Sequence, residues 1–317
     1  MNEVEAAGEV VAVTGSNGFI GRVVSNALRD GGHSVIGLVR GVPSDGEIAD
    51  DLSDANRLAD LFRSHKVATV CHFAWSGHPR TASLDHAGEI HSNIDSTLNL
   101  LVACGLAHVS HVVFLSSGGG RRIATIHGAP APPYGWAKSV ASAAVLVTAE
   151  AFGYSATVLR PTAVYGPGQD PAKKLGAVSV FADRLLRGES LQVIGSQEVR
   201  RDFLHVDDLS QLVLACVAQR THGEYDVGGP ELLSLTDVIE ALESVAGLTP
   251  VIEVANSTGV DPEFVRLDNS SVSAATGWSP QRLLRDSLPE MLIANINQSG
   301  LEARHAALLE QLKGNVR

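Results

Sequence analysis

VAVTGSNGFIG, residues 11–21, is the stretch from which the rest of this chain is read. A β-branched apolar run ends at Thr14. Gly15, Gly18 and Gly21 follow at three-residue spacing, and an amphipathic segment begins among them. Glycines in that context permit a tight turn, close approach of the backbone to a pyrophosphate, and close packing of helix on strand. The phosphates would sit at the helix N-terminus, where unpaired N–H groups and the helix dipole favour anions. A plain glycine-rich strand–helix turn is the competing reading. The position on a first strand, and the pattern behind it, favour a dinucleotide.

That pattern is alternation. EVVAVTG (9–15), HSVIGLVR (33–40), VATVCHFA (67–74), HVVFLSS (111–117) and SATVLRP (155–161) are near-continuous apolar runs, as strands buried on both faces must be. Helical periodicity fills 19–30, 54–64, 90–105 and 136–152. Strand and helix in turn imply an α/β fold, a doubly wound parallel (Rossmann) sheet that binds ligands at the carboxyl ends of its strands. After VYGPGQ (164–169) the pattern loosens into a helix at 175–187, then RRDFLHVDDLSQLVLACVAQ (200–219), EYDVGGP (224–230) and an amphipathic 234–247. These features predict a dinucleotide-binding domain over 8–166 with 200–228 returning to it. A smaller, interleaved C-terminal substrate lobe takes 167–199 and 229–300, and a terminal helix takes 301–317.

Composition removes several function classes. The 317 residues carry a net charge of −11, against the basic face that nucleic acid demands. No apolar run reaches the roughly 18 residues of a membrane span, and MNEVEAAGEV (1–10) lacks the basic and apolar regions of a signal peptide. Cys71, Cys104 and Cys216 are odd in number and widely spaced, as suits reduced core thiols. The expectation is a cytoplasmic protein with a small-molecule substrate, and with neither nucleic acid nor membrane as partner. Twelve histidines include no H-x-x-x-H pair. His72, inside an apolar strand, reads as a hydrogen-bonded core histidine. Asp207 and Asp208 suit the N-terminus of a helix at 208–218.

PPYGWAKS (132–139) places Tyr134 and Lys138 four apart on one helical face. A nearby ammonium stabilises phenolate and draws a pKa near 10 towards neutrality. Such a tyrosine can pass a proton to or from a substrate oxygen while hydride moves at the carbon. The motif alone is weak; its place downstream of the glycine turn gives it weight.

The spacing T-G-x-x-G-x-x-G together with Y-x-x-x-K resembles the short-chain dehydrogenase/reductase superfamily, in its extended branch, the NAD-dependent epimerase/dehydratase family. Further pieces occur in the family's order: DDLSD (50–54), CHFAW (71–75), NIDSTLNLLVAC (93–104), LSSGGG (115–120), LRPTAVYGPGQ (159–169), RDFLHVDDL (201–209) and TGWSP (276–280). The resemblance implies that Gly15, Asn17, Gly18, Phe19, Ile20 and Gly21 hold the cofactor's phosphates. It implies adenosine contacts from Arg40, Asp51 and Leu52. Further cofactor contacts would come from Phe73, Ala74, Trp75, Asn93, Ser116, Tyr134, Lys138, Pro161, Thr162 and Val164. Catalysis would fall to Ser117, Tyr134 and Lys138. Ser116 and Thr125 are the alternatives for the hydroxyl, because RRIATIHG (121–128) replaces the family's usual V-Y-G. The dehydratases' Asp-Glu pair is replaced by glycine, which disfavours dehydration.

The cofactor's phosphate state is read at the end of the second strand, GLVRG (37–41). Val39 stands where the family has an acid for the ribose, and Arg40 offers a planar fork to a 2′-phosphate. NADP is favoured over NAD, with a plain surface arginine as the competing reading. Arg201 matches the arginine on the diphosphate of nucleotide-sugar substrates, with a structural ion pair to Asp202 or Asp207 as the alternative. Ala163 replaces an asparagine common in sugar epimerases. No arginine occurs in NSTGVDPE (256–263), so Arg266, a few residues late, is the second candidate clamp; Ser117 completes the substrate set.

The implied activity is C4 epimerisation or 4-keto reduction of a nucleotide-activated sugar. Two alternatives remain: reduction of a non-sugar carbonyl, as in dihydroflavonol reductases, and dinucleotide sensing without turnover. Helices near 90–105 and 136–152 are apolar around most of their circumference. With small residues at Ala141, Ala143 and Ala144, the resemblance implies a four-helix contact in a C2 homodimer.

Overall fold

The computed structural model describes residues 8–77, 88, 90–118, 133–255 and 264–315. In chain order the first elements are β1 (Val10–Thr14), α1 (Phe19–Asp30), β2 (Ser34–Val39), β3 (Glu47–Ala49), α2 (Ala55–Ser64) and β4 (Val67–His72). A π-helical turn (Ile90–Asp95) leads into α3 (Ser96–Leu106), followed by β5 (His111–Leu115), α4 (Pro133–Phe152), β6 (Ser155–Pro161) and β7 (Ala163–Tyr165). Next are α5 (Ala177–Arg187), β8 (Leu191–Ile194), β9 (Arg200–His205), α6 (Val206–Gln219), β10 (Gly223–Val227), β11 (Leu232–Ser234) and α7 (Leu235–Ala246). The chain closes with β12 (Ile252–Ala255), β13 (Phe264–Val265), α8 (Ser270–Thr276), α9 (Leu284–Gln298) and α10 (Ala306–Asn315).

Two compact units result. One comprises Met1–Pro161, Ser210–Val227 and Asn269–Trp278; the other comprises Thr162–Leu209, Gly228–Asp268 and Ser279–Arg317.

The first unit is built on a seven-stranded sheet in the order β10-β6-β5-β4-β1-β2-β3. Every neighbouring pair is parallel, so the doubly wound α/β architecture expected from the alternation is the one found. Helices cover both faces of such a sheet, which is why β5 (HVVFL) is buried at all five positions. Leu58 and Phe62 of α2, Leu100 and Leu101 of α3, and Val145 of α4 pack with Phe114 and Val112 in one core. Fully burying each such side chain stabilises by about 1.5–3 kcal/mol. Asp54 caps α2, accepting from the amides of Asn56 and Arg57, a device worth about 1 kcal/mol.

The second unit has its own core, in which Phe181, Leu185 and Leu186 of α5 meet Val238 and Leu242 of α7 and Leu288, Met291 and Leu292 of α9. Its main sheet carries β9 at the centre, antiparallel to β11 and parallel to both β7 and β13. A separate parallel pair joins β8 and β12. Ser234 and Asp237 form a reciprocal capping box at the start of α7. Among the described residues no helix is long and apolar enough to cross a membrane.

Candidate active site

The sheet changes winding direction at β1: β2 lies on one side and β4 on the other. In such sheets the crevice at this switch point, outside the strands' carboxyl ends, receives the ligand. Here the backbone is drawn in tightly. Gly15 has φ +68°, and a Cβ on it would stand 3.0 Å from the Cα and N of Ala74. A Cβ on Gly21 would lie 2.1 Å from the Gly15 carbonyl oxygen, so the first turn of α1, with Phe19 and Ile20, rests directly on the β1 turn. Gly18 is the N-cap of α1, and no side chain caps that end. Its first turn carries no acidic residue. The partial positive charge of the helix end is therefore left uncancelled, and this bare cradle fits a pyrophosphate.

The switch point is locked by a chain of hydrogen bonds through His72. Thr14 Oγ1 accepts from the amides of Phe73 (3.1 Å) and Ala74 (3.0 Å) and lies 2.8 Å from His72 Nδ1. His72 Nε2 lies 2.9 Å from Thr97 Oγ1, which donates to the Asn93 carbonyl at 2.7 Å. The directions are then fixed. Thr14, already accepting twice, donates to Nδ1, and Nε2–H donates to Thr97. His72 is neutral, with its one proton on Nε2. Burial, and then the charge of Lys138, push its pKa down to about 3. Asn93 continues the clamp, accepting from the Ser76 amide (2.6 Å) and donating to the Ser76 carbonyl (2.9 Å).

Across the crevice, α4 delivers Tyr134 and Lys138. Lys138 is 3% exposed and donates from Nζ to the Leu115 carbonyl at 2.6 Å, which fixes the ammonium at the carboxyl end of β5. Its Nζ stands 3.8 Å from the centroid of the Trp75 ring. The Tyr134 ring meets the same indole edge-on, with centroids 6.3 Å apart. Ser116 is buried, its hydroxyl 2.8 Å from that of Ser142 on α4, whereas Ser117 is half-buried. Thr125 lies outside the described residues.

At the end of β2, Val39 is buried. Arg40 is exposed and makes no hydrogen bond or ion pair among the described residues. Glu47, opposite Gly37 in the β2–β3 register, accepts from the Ser16 hydroxyl (2.7 Å) and the Ser44 amide (3.0 Å). These bonds, Ser16's first, hold its carboxyl below the usual range. Asp51 is exposed and accepts from Ser53 and Arg57. The Leu52 amide donates to Asp50 at 2.7 Å.

In the second unit, Val265 stands opposite Arg201 in the parallel β9–β13 pair, so the next residue, Arg266, falls level with Asp202 and out of step with Arg201. Asp202, 1% exposed, accepts from the Leu267 amide at 2.9 Å; burial raises its pKa, and the nearby charge of Arg266 opposes that rise. Thr162 donates to the Asp202 carbonyl at 2.8 Å, and Val164 pairs with Leu204. Arg201 Nη1 donates to the Arg200 carbonyl. Asp207 and Asp208 fall in the first turn of α6. His205, Asp207 and Glu290 cluster there with ligating atoms within 4.8 Å of one another. Arg282 bridges the two carboxylates, so a guanidinium already supplies their positive charge.

Sequence reasoning passed over Thr14, Thr97, Ser16 and Glu47. Each acts through a partner between 25 and 58 residues away, and no local pattern marks such pairs. One expectation is corrected: Ala141 is 1% exposed and packs into its own unit's core, so it belongs to no outward face.

A parallel sheet with a glycine cradle at its switch point, faced by Tyr134 and Lys138, defines a Rossmann-type fold. A model of the NAD dependent epimerase/dehydratase family matches residues 11–228. The UDP-glucose 4-epimerase of Mycolicibacterium smegmatis is 26% identical over 303 residues, covering 87% of this chain and 95% of the relative. The dTDP-6-deoxy-L-talose 4-dehydrogenase (NAD(P)(+)) of Kitasatospora kifunensis is 28% identical over 301 residues, covering 90% and 95%. The crystal structure of Thermus thermophilus UDP-glucose 4-epimerase in complex with NAD superimposes with a TM-score of 0.82 at 26% identity, covering 90% of this chain and 98% of that one. The chain belongs to the NAD dependent epimerase/dehydratase family and is an enzyme of the extended short-chain dehydrogenase/reductase type.

Proposed function

We propose that the protein oxidises or reduces C4 of a nucleotide-activated sugar, either as a 4-epimerase or as a 4-ketoreductase. The observation that carries this reading is the placement of Lys138, buried on α4 one turn beyond Tyr134 and fixed to the carboxyl end of β5. When bound, the nicotinamide supplies or accepts the hydride. Tyr134 takes the proton of the C4 hydroxyl in the oxidative direction and returns one in the reductive direction. Lys138 supports the phenolate with its charge. Ser117 donates a hydrogen bond to the reacting oxygen. Gly15, Gly18 and Gly21 admit the pyrophosphate to the end of α1. Arg201, on β9, and Arg266, just past β13, are the candidate clamps for the substrate's diphosphate. Gly118 and Gly119 offer no acid–base pair for loss of water, so elimination is not part of the cycle.

The finer choice of cofactor follows Arg40. The buried Val39 cannot accept from a ribose hydroxyl, and the exposed guanidinium favours the 2′-phosphate of NADP(H) over NAD(H). One relative is named for both forms. The proposed assembly is a C2 homodimer through α3 and α4, supported by the exposure of Leu98, Val102, Leu106 and Val147 on those helices.

Incubation with UDP-glucose and NAD⁺ or NADP⁺, followed by proton NMR, tests the reading. The expected product is UDP-galactose for an epimerase, and oxidation of NADPH by a UDP- or dTDP-4-ketosugar, followed at 340 nm, for a reductase. Turnover of non-sugar ketones alone overturns it.

A further inference from the structure

Tyr134 and Lys138 share a neighbour that belongs to neither their helix nor their strand. Trp75 presents its face to the Lys138 ammonium at 3.8 Å and meets the Tyr134 ring in a T-shaped contact at 77°. Phe114 backs the arrangement, 4.9 Å from Nζ and 6.2 Å from the indole. An ammonium that is 3% exposed has lost nearly all its water. The Leu115 carbonyl replaces one hydration partner, and the indole face, the strongest aromatic partner for a cation, replaces others.

The indole is itself held from both sides along the chain. The two residues before it donate their amides to Thr14, and the residue after it is gripped twice by Asn93. Four hydrogen bonds thus fix the backbone of residues 73–76, and Trp75 stands in the middle of that stretch.

We propose that Trp75 is a positioning residue for the acid–base pair, its face retaining the Lys138 ammonium within the crevice and its T-shaped contact orienting the Tyr134 ring. The inference rests on the roles given above to Tyr134 and Lys138 and deepens them. Without the indole, the long lysine side chain gains rotamer freedom and a path to water. The phenol then loses part of the charge that favours its ionised form.

Trp75→Leu keeps bulk and removes the π face, and Trp75→Phe keeps a weaker face. The primary readout is the tyrosinate ultraviolet difference titration of the folded protein, with and without NAD⁺. Subtracting the Tyr134→Phe titration isolates the Tyr134 phenol. Trp75→Leu should move that ionisation about one pH unit upward, matching a tenfold change in the ionisation constant, with Trp75→Phe between it and the parent. Turnover of UDP-glucose near neutral pH should fall about tenfold and recover in part with phenylalanine. An unmoved Tyr134 titration in Trp75→Leu, or no graded recovery in Trp75→Phe, overturns the proposal and leaves Trp75 as a pocket wall. If circular dichroism shows that Trp75→Leu does not fold, the direction of the Trp75→Phe shift decides alone. Full activity in Tyr134→Phe would instead defeat the proton-transfer reading, and the titration would still report whether Trp75 governs the phenol.

Discussion

Thr14 and His72 join the two strands on either side of the winding switch, Oγ1 lying 2.8 Å from Nδ1 with both residues fully buried. The proton-poor nitrogen of the ring is thereby committed to a hydroxyl, and protonating it would oppose one donor to another. The folded-state pKa, near 3, lies below the value of about 6.5 for an unfolded histidine. Above pH 6.5 both states are neutral, and the full stability is present. As pH falls below 6.5 the unfolded chain takes up a proton that the folded chain refuses. Stability should drop by roughly 1.4 kcal/mol per pH unit from this residue until about pH 3. His111, lowered to about 4 chiefly by burial, acts in the same direction. Urea unfolding at pH 7 and pH 5 checks the slope. His72→Gln should flatten it while costing about 2 kcal/mol at pH 7; equal slopes in parent and variant would remove His72 from the explanation.

Tyr134→Phe preserves the ring that contacts Trp75 and removes the transferable proton. Turnover should fall at least about a hundredfold, with cofactor affinity nearly unchanged by fluorescence titration. Activity within a few-fold of the parent would take Tyr134 out of the mechanism.

Arg40 and Glu47 are predicted to act in opposite directions on cofactor choice. A charge-assisted contact from Arg40 to a 2′-phosphate contributes on the order of 1.5–3 kcal/mol, roughly ten- to a hundredfold in affinity. The protein should bind NADPH more tightly than NADH by about that factor, and Arg40→Ala should erase most of the gap. Glu47→Gln, which removes a carboxylate bonded to the glycine-turn residue Ser16, should widen it. Equal affinities for the two reduced cofactors in the parent protein would sink the NADP assignment.

Leu98, Val102 and Leu106 recur at four-residue spacing along α3, each more than a third exposed, and so form one stripe. Val147 adds to it from α4 at 66% exposure. Val102→Asp should convert a dimer to a monomer, read by light scattering at micromolar concentration, with an unchanged circular dichroism spectrum. A parent that is already monomeric at that concentration would refute the dimer.

The central sheet was legible because its strands are buried on both faces and its turns carry glycine. Val10–Thr14 and His111–Leu115 stand out as apolar runs whatever the tertiary context. The three residues of β3 were not visible, for an edge strand so short has no period to detect. Nor was α9, which holds Pro289 within its length, a residue that argues for a break when read locally. The place of Arg266 was beyond reach: only the pairing of β9 with β13 sets it level with Asp202. Tyr134 and Lys138 could be nominated from spacing, and Trp75 from the resemblance as a cofactor contact, whereas the packing of its indole against both could not.

The chain passes from one compact unit to the other at residues 161/162, 209/210, 227/228, 268/269 and 278/279. During synthesis the large sheet therefore waits for its last strand, β10, until residue 227 has left the ribosome. By then the whole of β7, α5, β8 and β9 has already emerged. No cut at a single peptide bond yields either unit whole, so the second unit cannot be exchanged between relatives as a terminal cassette. Recombination that respects this architecture must keep all five crossings together.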